Sequence, residues 1–111
     1  MAQKLLDIDK TIKNYIRTLE GEGVHVQKAI LFGSQARGNA DADSDIDLVI
    51  ISSDLQRFDF PERLGFLSKA TLYVDGPLEV IGYTPDEVEG KEGRSIFWDE
   101  ICSSGRVVYA A

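Results

Sequence analysis

The stretch LFGSQARGNADADSDIDLVI, Leu31 to Ile50, joins two apolar runs through a glycine–serine break and an aspartate-rich loop. Val26 to Phe32 reads as a strand, apolar from Ala29 onward and therefore central in a sheet. Gly33 and Ser34 end it, and Ser34 to Arg37 fits one short helical turn before Gly38. After the polar segment Asn39 to Ser44, Ile46 to Ser52 reads as a second strand with Leu48 to Ile51 as its buried run. Asp45 and Asp47 open that strand. Side chains on a strand repeat with period two, so both carboxylates point one way while Ile46 and Leu48 point the other, toward a core.

Working outward, Ile8, Ile12, Tyr15, Ile16 and Leu19 recur at helical spacing from Asp7 to about Glu20, and Gly21 and Gly23 stop the helix. Pro61 suits a helix start, with Leu64, Leu67 and Leu72 as an apolar face up to about Tyr73. Asp75-Gly76-Pro77 is a turn, and Leu78 to Tyr83 a third strand. Thr84, Pro85 and Glu87 form a helix entry with a cap, a first-position proline and a capping-box acid. A last helix runs from about Ser95 to Ser103, and a closing strand from Arg106 to Tyr109. The order predicts an α+β (or α/β) domain, a small mixed sheet flanked by helices, with residues 1–111 forming one domain.

The net charge is −7, from twelve basic and nineteen acidic residues, and the basic residues form only short clusters, too little to hold a long polynucleotide unaided. No apolar run approaches the roughly 18–20 residues that span a bilayer. The opening MAQKLLDIDK lacks the apolar run of a signal peptide, so the expected location is the cytoplasm and no membrane is involved. Cys102, the one cysteine, lies among Ile96, Phe97, Trp98 and Ile101 and reads as a small buried thiol. His25 reads as a surface or packing residue, and Arg94 and Arg106 as surface or structural cations able to approach a phosphate after folding. Phe97-Trp98 and Tyr109 read as core rather than as a base-stacking platform, with a patch for another subunit as the alternative. The small core is compatible with a homodimer or a hetero-complex.

Two carboxylates on one face at a strand end repel each other and resist desolvation unless a cation joins them. Hard oxygen donors at that density suit Mg²⁺ or Mn²⁺, particularly where substrate phosphates complete the shell, and two ions can clamp an in-line phosphoryl displacement. Gly33 lets a phosphate approach the backbone, Ser34 adds a hydroxyl donor, and Arg37 adds a forked cation for a triphosphate. The stretch is not a P-loop, because the second glycine, the lysine and the spacing are missing. An isolated Asp-x-Asp is more often a solvated loop, and an isolated Gly-Ser says less still. The specific signal is the combination: Gly33-Ser34, ten intervening residues, Asp45-Ile46-Asp47, then an apolar strand.

That combination, with Gln35-Ala36-Arg37-Gly38 and Ser44, resembles the signature of the polymerase-β-like nucleotidyltransferases, and most closely the minimal nucleotidyltransferases of bacteria and archaea. The resemblance implies a mixed sheet with the site at one edge, Asp45 and Asp47 as metal ligands, and Gly33 and Ser34 as triphosphate holders. It also implies a third carboxylate on the next strand, to bind the catalytic metal and activate the acceptor hydroxyl. Glu79 is the candidate, with Asp75 a weaker one. An acid inside an apolar strand is expensive to bury unless solvated or ligated, which favours Glu79. The family more often carries aspartate there, and glutamate moves the oxygens by roughly 1.5 Å.

Minimal relatives are commonly paired with a small helical HEPN toxin, which implies an ATP-dependent adenylyltransferase acting on a partner hydroxyl as antitoxin. Two other functions stay open. One is a catalytically weak module that neutralises its partner by occlusion, and the other is a transferase for a small molecule such as an antibiotic.

Overall fold

The computed structural model describes residues 8–37, 45–91 and 93–111, with the side chains of Ser34 and Arg37 outside the description. The loop expected from Asn39 to Ser44 therefore lies outside the described residues. Helix α1 (Ile8–Gly21) leads to strand β1 (Lys28–Phe32), the one-turn helix α2 (Gly33–Arg37) and strand β2 (Ile46–Ile51). A 3-10 turn (Ser53–Arg57), helix α3 (Phe60–Ala70) and a second 3-10 turn (Thr71–Tyr73) carry the chain to strand β3 (Leu78–Tyr83). Helices α4 (Pro85–Lys91) and α5 (Ile96–Ser104) and strand β4 (Arg106–Ala110) close it.

The four strands lie in the order β3-β2-β1-β4. β1 is antiparallel to both β2 and β4, with an irregularity between Ala29 and Ile30, whereas β2 and β3 are parallel. The apolar runs Ala29–Leu31 and Leu48–Ile51 thus fill the two inner strands, as fully covered strands should. Alternation divides the core in two. Ile46, Leu48 and Ile50 pack with α1 and α3 through Tyr15, Leu19, Leu67 and Ala70. Val49 and Ile51 pack on the opposite face with Tyr83, Trp98 and Ile101. Among the described residues no helix is long and apolar enough to cross a membrane.

Local chemistry explains most of the boundaries. Asp59 caps α3 by accepting from the Glu62 N–H at 2.9 Å, and Glu62 reaches back to the Asp59 N–H at 3.3 Å, with Pro61 in the first turn. Thr84 and Glu87 make the same reciprocal pair at α4. β1 begins at Lys28 rather than at Val26. The His25 backbone is engaged by side chains instead: Ser52 donates its hydroxyl to the His25 carbonyl at 2.7 Å, and the His25 N–H donates to the Asp54 carboxylate at 2.8 Å.

The face of α3 differs from the expected one. Its buried residues are Arg63, Leu67 and Ala70, while Leu64 and Leu72 are exposed. A charged residue holds the core position because its charge is met. The Arg63 guanidinium donates to Glu87 at 2.6 and 3.1 Å and to the Gly82 carbonyl at 3.2 Å. Tyr15, buried on α1, donates its hydroxyl to the Leu67 carbonyl at 2.8 Å, and burial pushes its phenol well above the usual range. Gly82 lies so close beneath Leu55 and Leu67 that an added Cβ would overlap both.

Candidate active site

β1 ends at Phe32, and the chain turns at Gly33 with φ of +73°, a conformation that a side chain opposes. Space is restricted there as well, because a Cβ on Gly33 would overlap the Asp47 carboxylate. The glycine that opens α2 and the aspartate on β2 therefore share one volume. Antiparallel pairing supplies the closeness, since Phe32 stands directly opposite Asp47.

On its other side, Asp47 is in register with Glu79 at the start of β3. Register partners present their side chains to one face, so Asp47 and Glu79 share the face of Val49 and Ile81, which is the α5 side. Asp45 precedes β2 by one residue and is exposed, whereas Asp47 is half-buried. The ends of β1, β2 and β3 thus gather Gly33, Asp47 and Glu79, with Asp45 beside them. The fold places the backbones of Ser34 and Arg37 in the turn that follows Gly33.

Several expectations need correction. Glu79 lies on an edge strand and is exposed, so it carries no burial penalty, and its case rests on register with Asp47 alone. Arg106 pairs with Leu31, whose side chain enters the α1–α3 core, and it lines a groove of about 380 Å³ with Asp9, Lys13 and Tyr109. It therefore faces away from the carboxylates. Arg94 is on the surface, in the turn before α5, and Asp75 is exposed in the turn before β3, both as expected. Cys102 is exposed rather than buried, because α5 turns Trp98 and Ile101 inward. Phe97 is half-exposed, and Tyr109 is only partly buried. His25 is on the surface as expected, where its N–H and ring meet Asp54 at 2.8 and 3.1 Å and hold that carboxyl below the usual range.

Arg63 was not legible as a buried ion-pair partner. The available signal was Glu87 itself, an acid at the third helical position whose second oxygen a cap alone does not use. Burial works to raise the Glu87 carboxyl. Hydrogen bonds from Arg63 and the Thr84 N–H, with the charges of Arg63 and Lys91, outweigh it and hold the group below the usual carboxylate range.

Residues 9–98 match the family model described as "Nucleotidyltransferase domain", a span that contains Gly33, Asp45, Asp47 and Glu79. The chain belongs to the nucleotidyltransferase domain family. It is a nucleotidyltransferase, built on a four-stranded mixed sheet. A protein of Methanocaldococcus jannaschii, provisionally named a protein adenylyltransferase, is 29% identical over 102 residues, covering 91% of this chain and 97% of its own. Two crystal structures share the fold of this nucleotidyltransferase at a TM-score of 0.62. One is a toxin–antitoxin with AMP-PNP, 18% identical over 89% of this chain and 73% of that one. The other, provisionally described as a nucleotidyltransferase from Sulfolobus solfataricus, is 19% identical over 90% of this chain and 78% of that one.

Proposed function

We propose that this nucleotidyltransferase moves AMP from ATP to a hydroxyl of a HEPN-type helical partner and thereby acts as its antitoxin, using Mg²⁺ or Mn²⁺. The observation that carries the reading is the register of Asp47 with Glu79 beside the Gly33 turn. The provisional name of the archaeal relative and the toxin–antitoxin structure with AMP-PNP support the choice of donor and partner.

Among the described residues no three His, Cys, Asp or Glu side chains are gathered tightly enough to hold an ion by themselves. Such a cage is not required. Mg²⁺ keeps several waters and is held by one or two carboxylates together with substrate phosphates. Asp45 and Asp47 fit that mode in donor type, and Glu79 fits as a third donor or as a base. A bound ion would neutralise charge on the phosphates and on the leaving pyrophosphate.

The chain's own residues do the rest. The side-chain-free Gly33 turn lets a phosphate approach the backbone, and Ser34 and Arg37 supply a hydroxyl and a cation from the following turn. Glu79 accepts the proton of the acceptor hydroxyl as its oxygen bonds to the α-phosphorus. The bond from that phosphorus to the bridging oxygen breaks, and pyrophosphate leaves with the electron pair.

Incubation with α-labelled ATP, Mg²⁺ and the co-purified partner should leave label on the partner. An intact protein that binds ATP yet transfers no label to the partner overturns the reading. The exposure of Glu79 favours a second reading, neutralisation by occlusion with little catalysis. In that case Asp45→Asn would still silence the toxin, whereas transfer-dependent neutralisation would be lost.

A further inference from the structure

We infer that Phe97, with Ile96 beside it, forms the wall against which the nucleobase of the donor triphosphate stacks, an inference that rests on the donor-triphosphate reading above. Phe32 stands opposite Asp47 and so projects from the same face of the sheet as that carboxylate. The Phe97 ring meets Phe32 edge-on, with centroids 6.0 Å apart and planes at 90°. Phe97 is therefore one aromatic ring away from the column that carries Asp47, and α5 packs against α2, the turn that begins at Gly33.

Phe97 is 50% exposed and Ile96 is 91% exposed. Neither is needed to hold α5, which is fixed by Trp98 and Ile101 in the core beneath. Trp98 meets Tyr83 edge-on at 5.8 Å, and Ser95 caps the helix by accepting from the Trp98 N–H at 3.1 Å. Two large apolar side chains on an anchored helix, beside a carboxylate-bearing strand end, are suited to an occupant charged at one end and flat and apolar at the other. A nucleoside triphosphate has that form. The edge-on contact with Phe32 holds the Phe97 ring in place before the base arrives, so little side-chain freedom is lost on binding. Stacking reads the π-face rather than the hydrogen-bonding edge of a base, so this wall favours purines by area and discriminates little between them.

Calorimetric titration of wild type, Phe97→Leu and Phe97→Tyr with Mg²⁺–ATP and with Mg²⁺–tripolyphosphate tests the inference. Phe97→Leu should weaken ATP on the order of tenfold, leave tripolyphosphate unchanged, and be largely reversed by the ring of Phe97→Tyr. ATP affinity unchanged in Phe97→Leu overturns the base wall and leaves the donor reading standing. An equal loss of both ligands also overturns it, since the ring would then act through the shape of the phosphate site. Wild type that binds neither ligand overturns the donor reading, and the inference with it.

Discussion

The two ends of strand β3 handle carboxylates in opposite ways. At its start, Glu79 is exposed and in register with another carboxylate, Asp47, with Asp45 two residues before that. Just beyond its end, Glu87 receives a buried guanidinium, a backbone N–H and a helix start, and its charge is consumed inside the fold. The second arrangement holds the protein together. The first gathers carboxylates at the ends of neighbouring strands, where one of them, Glu79, stays open to solvent.

Substitutions that exchange charge for an isosteric amide separate the two ends. The largest effect is expected from Asp45→Asn/Asp47→Asn, which should lower label transfer on the order of a thousandfold if the two carboxylates hold the metal as proposed. The same variant should abolish any rise in thermal midpoint given by Mg²⁺–ATP, which at a hundred times its dissociation constant amounts to roughly 2.7 kcal/mol. Next, Glu79→Gln should reduce single-turnover transfer about a hundredfold if it is the general base, with folding stability within about 0.5 kcal/mol of wild type. A loss of stability there would erase the contrast between the two ends.

Glu87→Gln should do the reverse. It leaves Arg63, whose side chain is 5% exposed, without its carboxylate. Urea unfolding should show a loss of about 2 kcal/mol, below the usual range for a broken buried pair because Glu87 itself is 37% exposed. Transfer per folded molecule should not change. The smallest effect is the pH dependence of the same group. Its folded pKa lies below its unfolded value, so its contribution is complete above roughly pH 4.3 and is lost as pH falls through the folded value. Acid unfolding curves of wild type and Glu87→Gln should therefore converge as pH drops below that point.

This contrast also marks how far the sequence could be read. All four strands and every helix of seven or more residues were legible, because apolar periodicity, glycine stops and capping boxes such as Thr84–Glu87 are local signals. Asp45 and Asp47 were legible as candidates for the same reason, as near neighbours in sequence at the entry to one strand. What escaped was the register between distant segments. The pairing of Asp47 with Glu79, the shared volume of Gly33 and Asp47, and the burial of Arg63 all join residues that hydropathy treats separately. Cys102 and Phe97 were misjudged because α5 turns only Trp98 and Ile101 inward, a choice that the apolar stretch around them does not reveal.

The parallel pairing of β2 with β3 has a consequence for the time course of folding. β1, the Gly33 turn and β2 form an antiparallel pair that closes over a short segment, so Gly33 and Asp47 can meet early. Glu79 reaches Asp47 only after 52–77, with α3 inside it, has crossed back over the sheet. Contacts of long sequence separation form late, since loop closure precedes their reward. A newly made chain therefore brings Gly33 and Asp47 together before Asp47 and Glu79, and the three are assembled only once the crossover from β2 to β3 has closed.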